Sequence, residues 1–168
     1  MAQGNLSGYQ GTSGVIEWIR NGSDVFVKFY NDTGGALANG AIKVLAFKIV
    51  SSAITAVVIA PATETTTSNL VGAINNLPYG KATVPDAEWG YLQVQGECEA
   101  LVDGTADLVA GDQLEVLNAG TALIDAGIAT GAVLEAETVA IMKEAYTTNA
   151  EALKAVYFVG KYSAIQAA

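Results

Sequence analysis

The chain is 168 residues long, the size of one domain or two very small ones, and at 51% hydrophobic it can fill a real core. Only 15% of it is charged, against roughly 25% in an average domain, and such a surface of Ala, Thr, Ser, Asn and Gly suits lasting contact with other protein. The net charge is −9 with 8 scattered basic residues, which excludes nucleic acid and anionic membrane surfaces as partners, because both need clustered cations.

In chain order, residues 1–14 read as a polar, Gly-rich arm with Leu6 and Tyr9 as its apolar anchors. The arm has no basic region and no apolar run, so no signal peptide is expected. Residues 15–168 read as a single β-rich domain. Val15 to Arg20 is rich in β-formers, Asn21-Gly22 is a hairpin signal, and Asp24 to Tyr30 is a second strand. Asn31-Asp32-Thr33-Gly34-Gly35 and Asn39-Gly40 are turns, with a strand starting at Ala41. Ile49 to Ala62 is the most apolar run. It is too short for a bilayer, which takes about 20 residues, and reads as one long or two short buried strands.

Ser68 to Leu77 spaces Leu70, Val71, Ile74 and Leu77 as a short helical stripe, with Ser68 as a cap and Pro78 as the stop. Gly90 to Val94 and Ala100 to Val102 are strands, and Asp103-Gly104 is a hairpin turn. Gln113 to Leu117, Thr138 to Tyr146 and Ala155 to Tyr162 are further strands, with a loop or single helical turn over Thr147 to Leu153. Many short strands divided by Gly, Asn and Asp turns predict an all-β fold. It is a barrel or sandwich of short antiparallel strands, with at most one or two short helices.

Catalytic chemistry has little to stand on. Histidine is absent, so Ser-His-Asp, Cys-His and His-metal arrangements are excluded. The one cysteine, Cys98, lies between Glu97 and Glu99, which raises a thiol pKa, and it reads as a core-facing strand residue. The Gly-rich segments 11–14 and 31–35 lack the P-loop and dinucleotide spacings. Asp103 to Asp107 offers too few carboxylates for a calcium loop. Glu97 and Glu99 share one strand face, with no carboxylate placed opposite for glycoside hydrolysis. No enzyme activity, cofactor or metal is expected. Trp18, Trp89, Tyr79 and Tyr91 would make a sugar-stacking surface if they shared an exposed face, but such aromatics more often anchor cores and interfaces.

Charge is unevenly distributed. Residues 1–83 carry five basic and four acidic residues, a sum of +1, whereas residues 84–168 carry 3 basic and 13 acidic, a sum of −10.

Several segments carry a family resemblance. Val-Phe-Val-Lys-Phe-Tyr-Asn-Asp-Thr-Gly-Gly-Ala-Leu-Ala-Asn-Gly (25–40) looks like the opening strand, turn and Gly-x-Leu-x-x-Gly corner of tailed-phage capsid decoration (cement, head-stabilising) proteins. Trp-Gly-Tyr-Leu-Gln-Val-Gln-Gly (89–96), Ala-Gly-Asp-Gln-Leu (110–114) and Ala-Ile-Met-Lys-Glu-Ala-Tyr (140–146) are similar to later parts of the same group. The likeness covers about half the chain and is made of turn residues and strand formers; the apolar region 41–77 departs from the smallest members.

The resemblance implies a virion structural protein, made in the host cytoplasm and seated on the outer surface of the expanded head. It implies the major capsid protein as partner, a homotrimer, and reinforcement against internal DNA pressure. It also implies that the N-terminal arm contacts the shell, with Gln3, Asn5, Leu6, Tyr9 and Gln10 as the contact residues. Two other readings stay open: another virion part, such as a tail tube or head-fibre base, and a carbohydrate-binding or adhesin module.

Overall fold

The computed structural model describes residues 17–51, 53–61, 69–116, 120–134, 138–160 and 162–163. The fold is all-β, as expected. Its strands are β1 (Trp18–Asn21), β2 (Asp24–Tyr30), β3 (Leu37–Ala38), β4 (Ile42–Val50), β5 (Ala53–Ile59), β6 (Asn69–Ile74), β7 (Thr83–Val84), β8 (Trp89–Asp103), β9 (Gln113–Val116), β10 (Leu123–Asp125), β11 (Ala140–Met142), β12 (Glu151–Val159) and β13 (Tyr162–Ser163). A 3-10 turn, Leu77–Tyr79, is the helical element among the described residues.

β8 is the spine. It is 15 residues long, and its even-numbered side chains face inward along both halves. Through its first half the pairings run β8–β2–β5–β4–β6 and back to β8. Through its second half they run β8–β10–β9–β11–β12 and back to β8. Two closed circuits of strands therefore share one strand, and closure removes most free sheet edges. Two of the pairings, β2 with β5 and β8 with β10, are parallel, so the sheet is mixed where short antiparallel strands throughout were expected.

Each circuit has its own apolar cluster. The first gathers Val25, Val27, Phe29, Val58, Leu70, Ile74, Leu92 and Val94, with Trp18 and Leu45 packed on it. The second gathers Ala100, Val102, Leu114, Leu123, Ala140, Met142, Val156 and Phe158, together with Ile42, Val44, Val71 and Ala73. β6 thus sends Leu70 and Ile74 to one cluster and Val71 and Ala73 to the other. A strand buried on both faces is apolar throughout, and that run imitates a helical stripe. The helix expected over Ser68 to Leu77 is therefore wrong; within it the described residues form a strand and the start of the 3-10 turn.

Close packing, against backbone at one and a side chain at the other, explains two glycines of the spine region. A Cβ on Gly72 would lie 2.3 Å from the Gln93 carbonyl oxygen, and one on Gly90 would lie 2.4 Å from a Val84 methyl. Other expectations shift by a residue or more. The first hairpin pairs Asn21 with Asp24, so its loop is Gly22-Ser23 with Gly22 at φ +63°. The strand expected over Thr138 to Tyr146 shortens to β11, and β12, which takes the place of the strand expected from Ala155, begins at Glu151 where a loop or helical turn was expected. Asp103 opens a turn, but not a hairpin, because β8 pairs with β10 and β12 and not with β9.

Asn31 ties the first circuit to its outer loops. It is fully buried. Its Nδ2 donates to the carbonyls of Gly35 (2.8 Å), Val84 (3.1 Å) and Pro85 (2.9 Å). Its Oδ1 accepts from the amide (3.2 Å) and the hydroxyl (2.7 Å) of Thr33. One short side chain thereby fixes segment 31–35 against segment 84–88.

Candidate functional site

The most apolar run of the sequence is not wholly buried. β4 and β5 form a hairpin in which Phe47 pairs with Ala56 and Ile49 with Ile54. Paired residues point to the same face, so Phe47, Ile49, Ile54 and Ala56 form one stripe. The stripe continues the core-facing row of Leu45 and Val58, yet Phe47, Ile49 and Ile54 are 53%, 72% and 52% exposed. The exposure has a topological cause. β6 pairs with β4 only at Ile42, Lys43 and Val44, and β2 pairs with β5 only at Val57. Among the described residues the distal part of the hairpin is a two-stranded ribbon with no third strand beside it. Such a ribbon is marginal in water unless something covers it. Lys48, on the opposite face, is ion-paired with Asp32.

A second surface lies on the outer face of β2 and β8. Lys28 pairs with Tyr91 and Tyr30 with Trp89 in register. The Tyr30 and Trp89 rings meet edge to face at 5.5 Å, and the Lys28 ammonium sits 5.3 Å from the Trp89 ring. Tyr79, from the 3-10 turn, stacks on Tyr91 at 3.8 Å and meets the buried Phe26 edge-on at 6.0 Å. Trp89 is 46% and Tyr79 38% exposed. Beneath them Gln93 is buried, and its Oε1 accepts from Asn75 Nδ2 at 2.6 Å. Burial raises the Tyr79 hydroxyl pKa, with Tyr91 and Glu17 adding to the effect. Of the four aromatics singled out in the sequence, Tyr79, Trp89 and Tyr91 come together. Trp18 packs against the first apolar cluster instead, because it pairs with Val27. Tyr30 is the member that strand counting missed; only the β2–β8 register reveals it.

The arm residues Gln3, Asn5, Leu6, Tyr9 and Gln10 lie outside the described residues. Cys98 packs against the second cluster. Burial first, then Asp24 and Glu99, push its thiol up to about 12, which makes it a poor nucleophile. Glu97 and Glu99 are exposed, and Glu97 meets Lys143 at 2.5 Å. Asp103 Oδ1 accepts from the amide (2.9 Å) and hydroxyl (2.6 Å) of Thr105, which holds its carboxyl below the usual range. Among the described residues no three metal-ligating side chains converge.

No family model matches the chain, and no curated protein matches it. Among solved structures, the head fiber gp8.5 N base of bacteriophage phi29 is similar at 13% identity, over 82% of this chain and 97% of that chain, with a TM-score of 0.45. A likeness at this level fixes neither a shared role nor a shared partner.

Proposed function

We propose that this chain is a structural virion protein that decorates the outer surface of the expanded phage head and stabilises it, acting through its surface and not as an enzyme. One structural observation carries the docking part of this reading. The ribbon formed by β4 and β5 presents Phe47, Ile49 and Ile54 to solvent in a single stripe. Contiguous exposed apolar side chains on a projecting element mark a protein contact. The virion assignment rests on the sequence resemblance of segments 25–40, 89–96, 110–114 and 140–146.

The charge split supports an orientation. The first apolar cluster draws all its members from residues 25–94, and the strands that complete the second circuit, β9 to β12, belong to the acidic half. The ribbon therefore belongs to the near-neutral end, which faces the shell in this reading. The acidic end faces outward and keeps particles apart by repulsion. Arm residues Gln3, Asn5, Leu6, Tyr9 and Gln10 add a second contact with the major capsid protein, and a homotrimer multiplies both. Binding the expanded shell and not the unexpanded one stabilises the expanded form by mass action. Many modest contacts per particle suffice.

The test is co-sedimentation of the purified chain with expanded and with unexpanded heads of the phage that encodes it. Binding to expanded heads alone, lost in Ile49→Ser and weakened by removal of residues 1–14, is expected. Equal binding to both forms, or binding indifferent to Ile49→Ser, contradicts the proposal. Presence at a few copies per particle favours a head-fibre base or a tail part.

A further inference from the structure

We propose that the aromatic face of β2 and β8 is a binding platform for a neutral polysaccharide, separate from the ribbon that docks on protein. The two surfaces lie on opposite sides of one sheet. Tyr30 pairs with Val57, and Val57 pairs with Ala46, so the aromatic row shares its face with Ala46 and Lys48. Phe47, Ile49 and Ile54 point the other way. A molecule seated on protein by its ribbon leaves the platform uncovered.

Three features specify the ligand chemistry. The rings are preorganised. Tyr79 is wedged between Tyr91 and Phe26, and Trp89 is braced by Tyr30 and Lys28. Rings already held in place lose little freedom on binding. The rings are also amphipathic, with broad apolar faces and phenol or indole groups at their edges. A pyranose ring is complementary to this, since it has a C–H face that stacks on an aromatic ring and a rim of hydroxyls.

The third feature is charge. Lys28 is paired with Glu17 at 3.1 Å, Lys48 is paired with Asp32, and a 3.1 Å ion pair of Lys81 with Glu88 joins the segments that carry Tyr79 and Trp89. Among the described residues, Lys28, Lys48 and Lys81 on this face are each already held by a carboxylate, which leaves an anionic sugar at a disadvantage here. The chain's net charge of −9 repels one. A neutral sugar polymer is the class that fits.

Native gels cast with laminarin, dextran or mannan, and with polygalacturonate as the acidic comparison, test the proposal. Retardation is expected in at least one neutral gel, and it persists at high salt because no ion contact is used. Truncation of an aromatic anchor weakens binding by about tenfold or more. Trp89→Ala should therefore run as if no sugar were present, Tyr79→Ala should do so in part, and Trp89→Phe should keep most of the retardation. Ile49→Ser, on the other face, should be retarded like the parent. Thermal melts confirm that each variant is folded; if Trp89→Ala is not, Tyr79→Ala in its exposed turn decides. Absence of retardation in every neutral gel overturns the proposal. So does retardation unchanged by the aromatic variants, or retardation by polygalacturonate alone that salt removes. Loss of head binding in Trp89→Ala without any sugar retardation assigns the platform to protein contact and equally overturns it.

Discussion

Asn31→Asp changes one donor group and leaves the shape of the side chain intact. The Oδ1 that accepts from Thr33 remains. The Nδ2, which serves three carbonyls at 2.8, 3.1 and 2.9 Å, becomes an oxygen. Two N–H groups cannot give three full hydrogen bonds, so the loss counts as about two, each about 1 kcal/mol net. An ionised oxygen then faces three carbonyl oxygens at a fully buried site, which adds at least about 1 kcal/mol. The sum is about 3 kcal/mol, a large share of the 5–15 kcal/mol that roughly bounds domain stability. For a chain of this size that is a fall in Tm of about 6–12 °C.

Urea unfolding at neutral pH, parent against variant, measures it. Acidification supplies a second arm. The buried variant carboxyl has a folded pKa above its unfolded value, so the penalty is full above the folded pKa. It shrinks as pH falls through that value toward the unfolded one near about 3.9, where a neutral carboxyl can again donate. A loss below about 1 kcal/mol at neutral pH, or one that does not shrink on acidification, would refute the role given to Asn31.

Three other outcomes follow from the structure. Phe47→Ser and Ile49→Ser should change stability by no more than about 0.5 kcal/mol, since exposed positions cost little on substitution, while abolishing head binding; a large drop in urea midpoint would mean the stripe is already covered within the chain. Cys98, with its thiol raised to about 12, should resist Ellman's reagent at pH 8 in the folded protein and react on unfolding in urea; prompt stoichiometric reaction without urea contradicts its burial. Asp103 has a lowered folded pKa, so its contribution is present at neutral pH and fades as pH falls below its ordinary value of 3.8. Asp103→Asn should make the acid side of the stability profile slightly shallower, by a small amount because the residue is part-exposed at the surface, and an unchanged profile would remove its role.

The all-β character was legible because turn residues announce themselves locally. Gly22, Asn39-Gly40 and the 31–35 segment all fall where the chain turns. What stayed hidden depends on who lies next to whom. β6 read as a helix because both of its faces are buried, which only the two-circuit topology explains. The Ile49–Ala62 run read as buried because hydrophobicity is local, whereas the exposure of Ile49 and Ile54 reflects where β2 and β6 stop pairing. Asn31 looked like an ordinary turn residue, since its partners Val84 and Pro85 lie more than 50 positions away. The aromatic platform was half legible. Trp89 and Tyr91 alternate on one strand, but Tyr30, Tyr79 and the inward turn of Trp18 are set by register.

The most direct test of the central proposal is the copy number of this chain relative to the major capsid protein in purified virions, by quantitative mass spectrometry. A decoration protein that stabilises the expanded head predicts a ratio near equimolar. A ratio of a few per cent, or absence from the particle, would contradict it.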